Sequence, residues 1–192
     1  MEKRNLKQQI ITTAGNLFYT KGYNTTGINE IISKSNVAKA TLYHHFKSKE
    51  AICIAYLEAK HSLFMASLTN SIASENSTKA KLLGIFEYLR SEFRKEDFGG
   101  CWAIKLLGEI PQNDKNIKPL IVRQKKELIV FLNQLVGDSV KNASKAEIEQ
   151  LSNSIYLLYE TAITESYLHK SDWPIFQSRS IAQKLIAEID LK

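Results

Sequence analysis

Apolar residues recur every three or four positions along most of the chain, with polar residues between them. This spacing is typical of amphipathic α-helices, because a helix turns once every ~3.6 residues and gathers such positions on one face. No stretch of useful length alternates apolar and polar residues, so no β-strand is predicted. The pattern and its breaks predict an all-α fold of about nine helices.

The first fifty residues are predicted to form three short helices. The first carries an apolar stripe from Leu6 to Phe18. It is expected to end at Gly22, since glycine readily adopts the positive φ that terminates many helices. The second follows the Thr-Thr-Gly run at 25–27, whose hydroxyl groups are expected to cap its first turn, and it stops near 33–34.

A tight turn is predicted between the second and third helices. It spans 35–37 and contains Asn36, which tolerates a left-handed backbone better than other non-glycine residues. The third helix, about 38–45, has few apolar positions, so its polar surface suits a DNA groove better than a protein core. This arrangement has the anatomy of a helix-turn-helix, although two short helices at the corner of a bundle have the same spacing.

The remaining sequence predicts a body of longer helices. Ser48 is expected to cap a fourth helix that continues without proline or glycine to about residue 73, long enough to link a head to a body. Two further helices are predicted over about 78–95 and about 100–110, and a long helix follows the polar break from Pro111 to Pro119 and reaches Val140. A capping box at Ser144 and Glu147 is expected to open the next helix. The last helix is expected to open at 172–174, and its apolar stripe reaches Ile189.

Charge is concentrated at the N-terminal end. The chain carries a net charge of +6 at pH 7. Residues 1–50 hold eight Lys or Arg and three acidic residues, a net +5, whereas residues 51–192 hold 18 and 17, a net +1. A basic end on a nearly neutral body is the footprint expected of a polyanion-binding protein, although a solvated charged surface has the same composition.

Composition also indicates the compartment. No apolar run reaches the roughly 18 residues that span a bilayer, and no apolar core of a signal peptide follows the N-terminus, so a cytoplasmic protein without a membrane segment is expected.

Cys53 and Cys101 lack partners at metal-ligand spacing, which predicts free thiols and neither a metal nor a cofactor. No histidine has a persuasive catalytic partner and no glycine-rich phosphate loop is present, so an enzyme is not predicted.

Residues 4–64 resemble the N-terminal domain of the TetR (tetracycline-repressor) family. The matching stretches are IITTAGNLF at 10–18, KGY at 21–23, TTGI at 25–28 with Ile31, and above all VAKATLYHHFKSKE at 37–50, which is close to the family signature. The family often has glycine at the positions of Asn36 and Ala40. The resemblance implies a DNA-binding head at 1–50, joined by the fourth helix to an all-helical ligand-sensing and dimerisation domain at 51–192.

Six residues of the head are predicted to contact double-stranded DNA. Those on the exposed face of the third helix are candidates for base edges or nearby phosphates: Lys39, Thr41 and His44. The resemblance implies that Tyr43 and Lys49 touch phosphate and that Thr26 contacts the DNA backbone from the second helix. For Tyr43 the alternative is packing against the first helix with its hydroxyl exposed.

The resemblance further implies a homodimer and a small-molecule effector. One helix-turn-helix covers half of a palindromic operator, so two are needed, and the last two helices are expected to pair with their copies as a four-helix bundle. Glu109 and Glu160 are expected either to orient the effector or to point to solvent. The aromatic residues expected to line the pocket, unless they form plain core, are Phe64, Phe86, Phe93, Trp102, Phe131 and Tyr159.

The sequence therefore predicts a ligand-responsive transcriptional regulator, in the family's usual form a repressor released from its operator by a small molecule. Two alternatives stay open. Oxidation or alkylation of Cys53 or Cys101 would make the protein thiol-responsive. The second alternative is a protein that coats or bends DNA without sensing a ligand, although such a protein would not need the long, nearly neutral domain at 51–192.

Overall fold

The computed structural model of the chain describes residues 5–138 and 143–188. Across these residues every regular element is an α-helix, as the sequence predicted. The nine helices of the described residues are α1 (Leu6–Thr20), α2 (Ile28–Ser35), α3 (Lys39–His45), α4 (Lys49–Ile72), α5 (Thr78–Phe93), α6 (Trp102–Leu107), α7 (Ile117–Gly137), α8 (Lys145–His169) and α9 (Trp173–Ala187). In the same residues, no helix combines the length and the apolarity needed to cross a bilayer.

The helices form two compact units, and α4 and α7 contribute to both. The first, called the head unit below, consists of the described residues up to Leu63 together with Trp102–Arg123. The second, the body unit, consists of Phe64–Cys101 and the described residues from Gln124 onward. The predicted division into functional domains after residue 50 stays a prediction.

The core of the head unit is built on α1. Its buried residues lie on one face, and Gly15 on that face permits the closest approach of α4. A Cβ atom added at Gly15 would lie 2.3 Å from the ring of Tyr56, so the tyrosine packs directly on the α1 backbone. The third helix adds Leu42, which is fully buried. Burial of such side chains contributes roughly 1.5–3 kcal/mol each and holds the short helices in place.

The connection between α1 and α2 differs in one respect from its prediction. Gly22 has a φ of +102°, which confirms the predicted positive-φ glycine at the end of α1. The predicted threonine caps of α2 are wrong, because Gly27 is the N-cap and Thr25 and Thr26 donate backward. Their hydroxyls bond the carbonyls of Lys21 (2.6 Å) and Gly22 (2.7 Å), which the end of α1 leaves without intrahelical partners.

The turn between α2 and α3 has the predicted geometry. Asn36 adopts φ 49° and ψ 44°, a left-handed conformation, and its N–H bonds the carbonyl of Ser33. The second helix extends slightly beyond its predicted end, to Ser35, whose buried hydroxyl donates to the carbonyl of Ile31 at 2.6 Å. That bond satisfies a polar group that would otherwise be buried without a partner.

The start of α7 lies earlier than predicted. The helix begins at Ile117, so Pro119 belongs to its first turn and not to the preceding break. Proline is tolerated there because the first N–H groups of a helix have no intrahelical acceptor. The carboxylate of Asp114 accepts from the N–H groups of Asn116 and Lys118, at 3.1 and 2.7 Å, and so satisfies two of those donors.

In the body unit, α8 and α9 pack along each other and both contact α5. The capping box at Ser144 and Glu147 is present as predicted, with both reciprocal bonds formed. Pro174 lies in the first turn of α9, also as predicted. The predicted positions of Val140 and Ile189 fall outside the described residues.

Candidate nucleic-acid interface

The third helix presents most of its side chains to solvent. Of its seven residues only Leu42 is buried. Lys39, Tyr43 and His44 are exposed and Thr41 is half-buried, so the structure brings four of the six predicted DNA contacts together on one short helix. Tyr43 is 39% exposed, which leaves its ring accessible to a ligand. DNA contact by these side chains stays a prediction.

Residues of α1 and the turn fix the position of this helix. The side-chain amide of Gln9 donates to the carbonyl of Ser35 at 2.6 Å and ties α1 to the end of α2. Sequence reasoning missed Gln9, whose position at the edge of the apolar stripe carried no separate signal. Because the bond lies next to the Asn36 turn, it helps to set the angle at which α3 leaves α2.

The prediction that Thr26 contacts the DNA backbone from the second helix conflicts with its placement. Thr26 precedes α2, which begins at Ile28. Its side chain is fully buried, and its hydroxyl donates to the carbonyl of Gly22. A hydroxyl committed in this way stabilises the connection between α1 and α2, and we omit it from the proposed contacts.

Lys49 points into the α1–α2 loop, defined here as residues 21–27. Its ammonium donates to the carbonyls of Tyr23 (2.9 Å) and Thr26 (3.1 Å) and lies 4.3 Å from the centroid of the Tyr23 ring. Two of its three N–H donors are therefore used within the head unit. Contact of Lys49 with phosphate stays a prediction, and its observed role is to fasten α4 to this loop.

The environment of this loop keeps the Cys53 thiol neutral. Burial raises the pKa of Cys53 to about 12, against the opposing effect of the Lys49 charge. The pKa of Tyr23 is also raised to about 12, mainly by burial. Because a thiolate is the reactive form of cysteine, a fully buried thiol with a raised pKa is a poor sensor of oxidants or electrophiles.

The sixth helix and the residue Glu109 after it contact α1 and the α1–α2 loop. The Glu109 carboxylate accepts the backbone N–H of Asn24 at 2.7 Å, and the Glu109 carbonyl accepts the Asn24 side-chain amide at 2.8 Å. The Lys105 ammonium donates to the carbonyl of Tyr19 at 3.2 Å. The alternative that Glu109 points to solvent is wrong, because its carboxylate bonds Asn24. A role of Glu109 toward an effector stays a prediction, and segment 102–123 belongs to the head unit.

Ring contacts join three of the six predicted pocket residues, and the shared pocket stays a prediction. In the body unit Phe64, Phe86 and Tyr159 meet, with ring centroids 6.4 Å apart for Phe64 and Tyr159 and 6.2 Å apart for Phe86 and Tyr159. Phe93 instead pairs with Phe98 at 5.3 Å. Of the other two, Trp102 belongs to the head unit, where the Lys60 ammonium lies 5.6 Å from its ring centroid, and Phe131 is half-buried on α7.

A half-buried cluster of charged and thiol groups lies in the body unit. The Lys125 ammonium is 2.6 Å from each oxygen of Glu160 and 3.3 Å from the Cys101 sulfur. Burial alone would lower the pKa of Lys125, but its interactions with Cys101 and Glu160 raise it above its ordinary value. Sequence reasoning named Glu160 and Cys101 and missed Lys125, although its position four residues after the buried Ile121 was a usable signal.

Comparison with known proteins adds independent information. A family model described as "Bacterial regulatory proteins, tetR family" matches residues 10–56. The chain is 30% identical over 167 residues to an uncharacterised HTH-type transcriptional regulator from the lacX 3' region of Lactococcus lactis subsp. lactis, covering 82% of this chain and 85% of that protein. It is 22% identical over 190 residues to the HTH-type transcriptional repressor NemR of Escherichia coli (strain K12), covering 96% of both. A TetR-family transcriptional regulator from Streptomyces coelicolor has the same fold, with a TM-score of 0.86, 17% identity and coverage of 96% of this chain and 89% of that one.

Proposed function

The chain belongs to the TetR family of bacterial transcriptional regulators, and from this membership we propose that it is a repressor that binds a palindromic operator as a homodimer. A small molecule bound in the body unit releases it. DNA binding and transcriptional regulation follow from the family. The operator geometry, the dimer and the effector are the proposal.

The observation that carries the proposal is the outward presentation of α3. Lys39, Tyr43 and His44 are exposed on a helix that contributes only Leu42 to the core. A short polar helix held by an apolar anchor on its inner side suits the major groove, whose base edges offer donors and acceptors. The surplus of positive charge in residues 1–50 supplies attraction to phosphate.

DNA-binding assays at several salt concentrations test this interface. The purified protein is titrated with DNA from upstream of its own gene and with a scrambled duplex of equal length. We expect the Lys39→Ala substitution to weaken operator binding. If its ammonium contacts a phosphate, the salt slope, which is the slope of the logarithm of the binding constant against the logarithm of salt concentration, should lose about 0.9 in magnitude. Lys145→Ala removes a lysine that is 91% exposed in the body unit and serves as the matched control.

Two results of these assays separate the proposed function from its alternatives. Preference for the operator over the scrambled duplex by roughly a thousandfold supports a sequence-specific regulator. Equal and steeply salt-dependent binding to both duplexes contradicts it and favours a protein that coats DNA. If Lys39→Ala and Lys145→Ala weaken binding equally, α3 is not the recognition helix.

Exposed apolar side chains on α8 and α9 support the homodimer. Leu157 and Leu168 on α8 are 62% and 68% exposed, and Trp173 at the start of α9 is 53% exposed. Leu157 and Leu168 are eleven residues apart, about three helical turns, and therefore share one face of α8. A second copy of the same face would remove these side chains from water, as in an isologous dimer interface.

The body unit offers groups that suit an effector. Aromatic rings of Phe64, Phe86 and Tyr159 lie beside one another, and Lys125 on α7 forms a half-buried ion pair with Glu160 on α8. Buried ionisable groups beside aromatic surface are the usual lining of a small-molecule site. We propose that the effector binds among these residues.

A regulator that binds bacterial chromosomal DNA acts in the cytoplasm, and we propose that location. Regulation by binding requires no chemical step, so we propose no enzymatic activity. Thiol-based regulation through Cys53 is disfavoured by the complete burial of the thiol and its raised pKa.

A further inference from the structure

The α1–α2 loop is held by two residues distant in sequence. The Lys49 ammonium bonds two of its carbonyls. Glu109 bonds Asn24, 85 residues earlier in the chain. We propose that Glu109 is a positioning residue for operator binding, which sets the placement of this loop without touching DNA.

The fit between Glu109 and the loop is close. The carboxylate and the main-chain carbonyl of Glu109 both accept from Asn24, one from its backbone N–H and one from its side-chain amide. A Cβ atom added at Gly22 would lie 2.9 and 3.0 Å from the two carboxylate oxygens. The carboxylate therefore occupies the space that a side chain at position 22 would need, and the pair of bonds fixes both ends of one residue.

The loop leads directly into the first turn of α2. In the described residues no side chain caps that turn, since the N-cap is Gly27, and nothing lies within 4 Å of a Cβ added there. The first N–H groups of a helix have no intrahelical acceptor, so those at this end of α2 can donate to a phosphate oxygen. Any movement of the loop displaces these amides and, through α2, the recognition helix α3.

The sign of the Glu109 charge makes a positioning role testable. A carboxylate in the unit that binds DNA repels phosphate, so its removal by itself should strengthen operator binding. If the carboxylate positions the loop, its removal should instead weaken operator binding, because the loop becomes more mobile and has to be ordered when DNA binds. The two roles predict changes of opposite sign in the same measurement.

The proposal rests on operator binding and is tested with three variants of the full-length protein. Glu109→Ala removes the acceptor of the Asn24 N–H, and we expect operator affinity to fall about fivefold or more, with an unchanged salt slope because no phosphate contact is lost. Glu109→Gln retains an acceptor oxygen and removes the charge, and we expect affinity equal to or above that of the unmodified protein. Glu149→Ala removes a carboxylate on the exposed surface of α8, 51% exposed, and controls for net charge.

Amide hydrogen exchange at Asn24 provides a readout that needs no DNA. We expect its N–H to be protected in the unmodified protein and to exchange faster in Glu109→Ala, while core amides of α1 keep their protection. Asn24→Ala, which leaves the backbone bond and deletes only the amide bond, provides a milder variant if Glu109→Ala unfolds the head unit, and we expect about a threefold loss of affinity.

Operator affinity in Glu109→Ala equal to or greater than in the unmodified protein overturns the proposal. The proposal is also overturned if, in the unmodified protein, the Asn24 N–H exchanges as fast as the amides of an exposed loop. Failure of the unmodified protein to bind any operator rejects the proposed function instead, and the exchange measurement still decides whether Glu109 holds the loop.

Discussion

At the scale of single residues, Lys125 forms an ion pair with Glu160 in the body unit. Its ammonium lies among Glu160 and Cys101 in the body unit, with only 20% of its side chain exposed, and Glu160 is 17% exposed. A buried ion pair adds little to stability relative to apolar residues of equal size, but loss of one partner leaves the other charge without compensation. The pair is therefore sensitive to changes in either residue.

Substitution of Lys125 by methionine tests the energetic role of this pair. We expect Lys125→Met to lower the free energy of unfolding at pH 7 by about 2–4 kcal/mol, because the Glu160 carboxylate stays buried without its cation. The double variant Lys125→Met with Glu160→Gln is the control and should recover part of the loss. Urea denaturation gives all three values, and an unchanged stability of the single variant contradicts the expectation.

The same comparison has a predictable dependence on pH. The folded-state pKa of Lys125 is raised above its ordinary value of 10.5, so the ammonium stabilises the folded protein fully below pH 10.5. This contribution is lost as the pH rises through the higher folded-state pKa, where the folded protein also releases the proton. We expect the difference in thermal stability between the unmodified protein and Lys125→Met to be constant from pH 7 to 10 and to shrink above that range.

At the scale of single elements, the turn between α2 and α3 depends on one left-handed residue. Asn36 adopts φ 49°, a conformation that costs most L-residues about 1 kcal/mol or more. We expect Asn36→Gly to keep the stability of the unmodified protein within a few tenths of a kcal/mol and Asn36→Val to lower it by about 1–2 kcal/mol. Urea denaturation measures both, and equal stabilities would show that the turn imposes no such constraint.

The helices that the sequence predicted well have local causes. Gly22, Asn36 and the Ser144–Glu147 capping box each act within a few residues, so their roles were readable from the sequence alone. The start of α7 was misplaced because Pro119 suggested a break, whereas the carboxylate of Asp114 stabilises a helix that begins two residues earlier. The sixth helix, predicted over 100–110, spans only Trp102–Leu107.

The candidate site was less predictable because its geometry depends on distant contacts. The exposed residues of α3 followed from the helical pattern and the family resemblance. Thr26 and Lys49 have the residue types expected for phosphate contact, yet hydrogen bonds within the head unit occupy the hydroxyl of one and two donors of the other. Nothing in the spacing of Asn24 and Glu109 indicates that they meet, so their hydrogen bonds could not be predicted.

At the scale of the whole molecule, the proposed dimer makes a direct prediction. Leu157 and Leu168 share the exposed face of α8, and a second copy covering that face would bury both. We expect the double variant Leu157→Glu with Leu168→Glu to sediment as a monomer at concentrations where the unmodified protein is a dimer, because charged side chains cannot enter an apolar interface without a large cost in free energy. Its operator affinity should fall as well, since one head reads one half-site.

The chain offers a matched control for this experiment. Leu63 on α4 is 65% exposed, close to the values of the two α8 leucines, but lies in the head unit. We expect Leu63→Glu to leave the dimer intact in sedimentation. Dissociation by Leu63→Glu, or a dimer that persists in the α8 variant, would place the interface elsewhere.

The division of the head unit over two stretches of sequence has a consequence for recombining regulators. Asn24 finds its acceptor on Glu109, and Asn116 donates to Glu50 at the start of α4, so segment 102–123 belongs structurally with the N-terminal helices. Consider a chimera in which the residues of this chain up to residue 63 are joined to the sensing domain of another regulator. Its α1–α2 loop would then meet a foreign segment in place of residues 102–123. Transplanting operator specificity therefore requires both stretches of the head unit to be transferred together, with three junctions, after residues 63, 101 and 123.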